Sequence, residues 1–69
     1  MKNPVMIFNV AEEDRGQLKA ALLCDRLVWM GIAHCYEKVG VCHTVTVEEG
    51  DVGRALDGVS PEFTRGDAR

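Results

Sequence analysis

At 69 residues the chain can form one domain with a single small apolar core, which excludes a large substrate cleft. A balance of 46% hydrophobic to 28% charged residues excludes a disordered tail or a membrane segment. The formal charge of -3, with eight Lys and Arg scattered along the chain, offers no footprint for a nucleic-acid backbone and too little negative charge to imitate one.

The first element is "PVMIFNV", residues 4 to 10, rich in β-branched and aromatic side chains, with Pro4 where a strand can begin without losing a needed donor. Asn9 followed three residues later by Glu12 has the form of a capping box, and the acids after it suit the positive end of a helix dipole. The pattern therefore predicts a helix from near Val10 to about Met30. Gly31 is available as its left-handed cap and Ile32 as the cap's hydrophobic partner.

Stepping about 100° per residue places Gly16, Ala20, Leu23, Cys24, Leu27 and Met30 on one core-facing stripe. Leu18, Leu22 and Trp29 fall on a second apolar ridge nearly opposite, with Asp25 at its edge. Arg15, Lys19 and Arg26 form a basic stripe beside it, which also serves as an ordinary solvated face. One small sheet cannot cover both apolar faces. The second ridge needs a symmetry mate, a foreign partner, or the chain's own second helix and Phe63 folding back over it.

After Gly31 the period changes to two, with Val41, His43, Val45 and Val47 on one face and Cys42, Thr44 and Thr46 on the other. "HCYEKVGVCH", residues 34 to 43, mirrors a His-Cys pair against a Cys-His pair and invites a metal reading through His34, Cys35, Cys42 and His43. Adjacent residues on a strand point to opposite faces, so four ligands within one hairpin cannot converge on one ion. A hairpin with the four-residue loop "EKVG" puts Ile32, His34 and Tyr36 on the same face as Val41, His43, Val45 and Val47, and predicts Cys35 opposite Cys42 and His34 opposite His43. It leaves positive φ to Gly40, whereas a two-residue "VG" turn would force it on Val39.

Asp51 as an N-cap, with Val52, Ala55, Leu56 and Val59 at helical spacing and Gly58 and Pro61 as stops, predicts a short second helix. Residues 1–59 should thus form a single α+β domain of order β-α-β-β-α. Its three-stranded, mainly antiparallel sheet should carry the long helix on one face, in strand order 1-3-2 rather than with strands one and two parallel. Residues 60–69 read as a flexible polar tail.

Three cysteines without a secretory cleavage pattern suit free thiols in the cytoplasm. No catalytic signature, nucleotide loop or cofactor motif is present: "GDVG" at 50 to 53 lacks the spacing and lysine of a phosphate loop. The expectation is a non-enzymatic protein-binding module, a homodimer joined through Leu18, Leu22, Asp25, Arg26 and Trp29. By size and type it would be a stoichiometric inhibitor or adaptor of the kind phages carry against host systems. The alternative is a thiol- or metal-responsive module using His34, Cys35, Cys42 and His43, completed across a dimer interface.

Overall fold

The computed structural model describes residues 2–57. Strand β1 (Pro4–Ala11), helix α1 (Gly16–Met30), strands β2 (His34–Val39) and β3 (Cys42–Glu48), and a short helix α2 (Val52–Asp57) follow one another. The three strands form one antiparallel sheet in the order β1-β3-β2, the α+β arrangement read from the sequence. Val59, the stops at Gly58 and Pro61, Phe63 and the tail from 60 to 69 lie outside the described residues. Among the described residues no helix is long and apolar enough to cross a membrane.

Helix α1 packs its Ala20, Leu23 and Leu27 stripe onto the sheet face that carries Phe8, Val10, Val45 and Val47, and Ala55 of α2 joins the same cluster. Cys24 and Met30 pack at its margin. The helix ends as its sequence implies: Gly31 takes φ 74°, its N–H donates to the Val28 carbonyl, and the Ile32 N–H reaches back to Leu27 at 2.9 Å. This pair of bonds satisfies carbonyls that the last turn leaves open, and buries Ile32 in the core.

The start of α1 differs from the expectation. Strand β1 continues through Ala11, residues Glu12–Asp14 form a 3-10 turn, Arg15 takes a left-handed conformation with φ 63°, and the α-helix begins only at Gly16. Asn9 is therefore a strand residue paired with Thr44, and no capping box forms. Sheet pairing wins because it occupies the backbone of residues 8–11 against β3, which a helix from Val10 would forgo.

The hairpin register is also corrected. Its turn is Gly40–Val41, one residue further along than any loop expected from the pattern. Gly40 supplies φ 63° at the first central position while Val41 keeps a negative φ, the requirement of a type II′ turn. Consequently Cys35 lies opposite Thr46, Cys42 opposite Val39, His34 opposite Val47 and His43 opposite Lys38. The cross-strand Cys35–Cys42 and His34–His43 pairs do not form. Face assignment survives the shift, so His34, Tyr36, His43, Val45 and Val47 still share the side covered by α1.

Candidate functional site

Two parts of the surface emerge from this frame, a polar triad under the start of α1 and the outer ridge of that helix.

The triad is built on three elements. The 3-10 turn carries Glu12, whose N–H donates to the Val41 carbonyl at 2.7 Å and ties this turn to the hairpin. Strand β3 directs His43 inward, where it is 1% exposed, and β2 supplies Tyr36 from the diagonal position on the same face. The Tyr36 hydroxyl and His43 Nδ1 lie 2.6 Å apart, and His43 Nε2 is hydrogen-bonded to a Glu12 carboxylate oxygen. The Tyr36 and His43 rings stack with centroids 5.9 Å apart. A carboxylate can only accept, so Nε2 carries a proton; in the neutral imidazole Nδ1 is then the acceptor and the Tyr36 hydroxyl the donor.

Gly16 completes the arrangement. A β-carbon there would stand 2.3 Å from the Val10 carbonyl oxygen, 2.7 Å from that of Ala11 and 2.8 Å from His43 Cδ2. Only glycine lets the first turn of α1 sit directly on β1 and the imidazole.

The hydrogen bond from His43 holds the Glu12 carboxyl below its ordinary value, and the Lys38 ammonium 3.9 Å away acts in the same direction. A carboxylate whose folded pKa is depressed adds stability that is present above its unfolded pKa and lost as pH falls through the folded one. Wild-type stability should therefore decline as pH drops below about 4.5, and Glu12→Gln should remove part of that decline. Urea melts of both proteins between neutral pH and pH 3 measure the difference.

The histidines and cysteines of the mirrored motif are dispersed. His34 donates from Nδ1 to the Ile32 carbonyl at 2.9 Å, and both nitrogens of His43 are engaged within the triad. Among the described residues no group of three or more His, Cys, Asp or Glu side chains is placed to hold a metal. Cys35 is exposed and Cys42 half-buried, each facing a non-thiol neighbour across the hairpin. Burial pushes the Cys24 thiol up, with nearby Cys35 adding to the shift, so Cys24 is held as a protonated, weakly nucleophilic group. It borders an open groove of about 470 Å³ between α1 and β2, lined also by Gln17, Ala20, Ala21, His34 and Tyr36.

On the outer side of α1, Trp29 is 84% exposed, Leu18 54% and Leu22 45%. Leu22, Asp25, Arg26 and Trp29 line a second shallow groove. The structure thus brings together four of the five residues expected to bind a partner, with Leu18 one turn before them.

Sequence reasoning missed the triad. In sequence Glu12 has the place of a capping residue, and alternation marks Tyr36 only as a member of the inward face. The available signal was the pairing of a histidine with a tyrosine on one sheet face beside an acidic turn. No family model, curated protein or solved structure matches the chain.

Proposed function

We propose that the chain is a protein-binding module that acts by stoichiometric interaction, through the outer ridge of α1, and that its first partner is a second copy of itself. The carrying observation is the exposed indole of Trp29 on a ridge with Leu18 and Leu22, where Asp25 and Arg26 share the groove beside it. Large aromatic and aliphatic side chains lying together on a helix face are the usual centre of an interface, and tryptophan is enriched among residues that dominate binding energy.

A second copy suits the ridge for two reasons. Positions 18, 22, 25 and 29 repeat at intervals of four, three and four, the spacing of a helix-pairing seam. Asp25 and Arg26 sit side by side in its groove, so a twofold pairing of parallel α1 helices can set Asp25 of one copy beside Arg26 of the other while the apolar side chains close over each other. An inhibitor or adaptor role would use the same face, with the host protein replacing the second copy.

Sedimentation equilibrium of the full chain tests the reading. Wild type should sediment as a dimer at micromolar concentration. Trp29→Ala should weaken association by at least about 2 kcal/mol, or roughly thirtyfold, as truncation of a central aromatic anchor does. Leu22→Asp should leave a folded monomer. A wild-type chain that remains monomeric at millimolar concentration would sink the dimer.

A further inference from the structure

We propose that Tyr36 is a reactive nucleophile, activated by His43 and Glu12, that accepts an acyl group from an activated ester seated in the groove between α1 and β2. A tyrosine hydroxyl is ordinarily a poor nucleophile at neutral pH because it is almost wholly protonated. An activated nucleophile is recognised by a base within hydrogen-bond reach and a third group that orients the base. The 2.6 Å contact from Tyr36 to His43 Nδ1 and the bond from Nε2 to Glu12 supply both. His43 is almost fully buried, so its proton exchange runs through Tyr36 and Glu12, while Tyr36 itself is 44% exposed and open to a reagent.

The balance of the step is simple. The Tyr36 hydroxyl oxygen attacks the ester carbonyl carbon as its proton passes to Nδ1 of His43, forming an imidazolium that the Glu12 carboxylate stabilises. The tetrahedral intermediate then expels the leaving alcohol, which takes the proton from His43. Tyr36 is left as an ester and His43 returns to its neutral form, with no oxidant or metal required. Tyr36 is the reacting group, His43 the base, and Glu12 a positioning residue that acts through His43.

The groove states the class of reagent. Ala20, Ala21 and the protonated Cys24 form an apolar wall in the groove that Tyr36 also lines, and among the described residues no Lys, Arg, Asp or Glu lines it. An uncharged aryl or alkyl ester fits this lining better than a phosphate or a carboxylate. The site lies on a different flank of α1 from the Trp29 ridge, so its test is independent of the oligomeric state.

The full chain is treated with p-nitrophenyl acetate at neutral pH, and acetylation is located by peptide mass mapping. Tyr36 should acquire one acetyl group at least about a hundredfold faster than N-acetyltyrosinamide under the same conditions, the lower end of what a positioned base contributes. Glu12→Gln should slow Tyr36 acetylation about tenfold while leaving background labelling of Lys2 and Lys19, which do not contact Glu12, unchanged, and Glu12→Asp, which restores a carboxylate, should recover part of the rate. Tyr36→Phe should remove this adduct alone. Acetylation of wild-type Tyr36 no faster than the free amide would overturn the proposal whatever the variants do, and so would a Glu12→Gln protein that is folded by circular dichroism and labels at the wild-type rate.

Discussion

Gly16→Ala should remove most of the protein's stability at room temperature. The added methyl would meet two backbone carbonyl oxygens of β1 and the edge of a buried imidazole, all closer than real β-carbons approach such atoms. None of the three is the free end of a flexible side chain, so the helix must lift from the sheet. Overpacking costs about 1 to 3 kcal/mol and occasionally more, the upper end where nothing can give way, and a domain of this length rarely holds more than about 3 to 5 kcal/mol in total. Gly53→Ala is the internal control. Among the described residues a β-carbon at position 53 meets nothing within 4 Å, and the residue lies within α2, so this substitution should raise stability by about 0.5 kcal/mol. Urea denaturation followed by circular dichroism separates the two outcomes, and equal effects would show that α1 does not rest on β1 as described.

The same contact explains which parts of the fold could be read from sequence. Leu23, Leu27 and Ala20 announced the buried face of α1 through their spacing, because a helix with one covered side must repeat its apolar residues at that period. Gly31 likewise marked its end, since the left-handed cap has a strong residue preference and a local cause. The start of α1 has no such local cause. Asn9 and Glu12 carry good capping chemistry, but the pairing of β1 with β3 claims Asn9, and a distant histidine claims Glu12. Competition between a local cap and a long-range sheet is decided by partners more than thirty residues away, beyond what a window of sequence contains.

The hairpin shows the complementary limit. Alternation assigned Tyr36, His43, Val45 and Val47 to one face, and that assignment is insensitive to a register shift of an even number of positions. Which residues face one another is sensitive to it. Placing the turn at Gly40–Val41 moves His43 from opposite His34 to opposite Lys38 and brings it diagonal to Tyr36, and on that shift the triad depends. The outer ridge of α1 needed no register at all. Its residues share one helix, so Trp29 and Leu22 were placed together by periodicity alone.

Phe8→Ala should have the second large effect, and its contrast with Met6→Ala tests a feature that alternation would misplace. Strict two-residue periodicity puts Met6 and Phe8 on the same face of β1. The register instead shifts between them, with Met6 opposite Thr46, Phe8 opposite Val45 and Ile7 as the extra residue of a bulge. Met6 is left 52% exposed, whereas Ile7 and Phe8 are both buried, Phe8 in the cluster with Val45, Leu23 and Leu27. Truncating a fully buried phenylalanine costs about 3 to 5 kcal/mol through lost transfer energy and the cavity left behind, enough to consume the stability of a chain this short. Phe8→Leu, which refills most of that space, should cost only about 1 kcal/mol. Met6→Ala should fall within about 0.5 kcal/mol of wild type, as exposed positions do. A Met6→Ala protein destabilised as much as Phe8→Ala would mean that β1 runs without the bulge. Without it, Val5 and Ile7 would exchange faces with Met6, and the inner layer on which α1 and the His43 triad are seated would be differently composed.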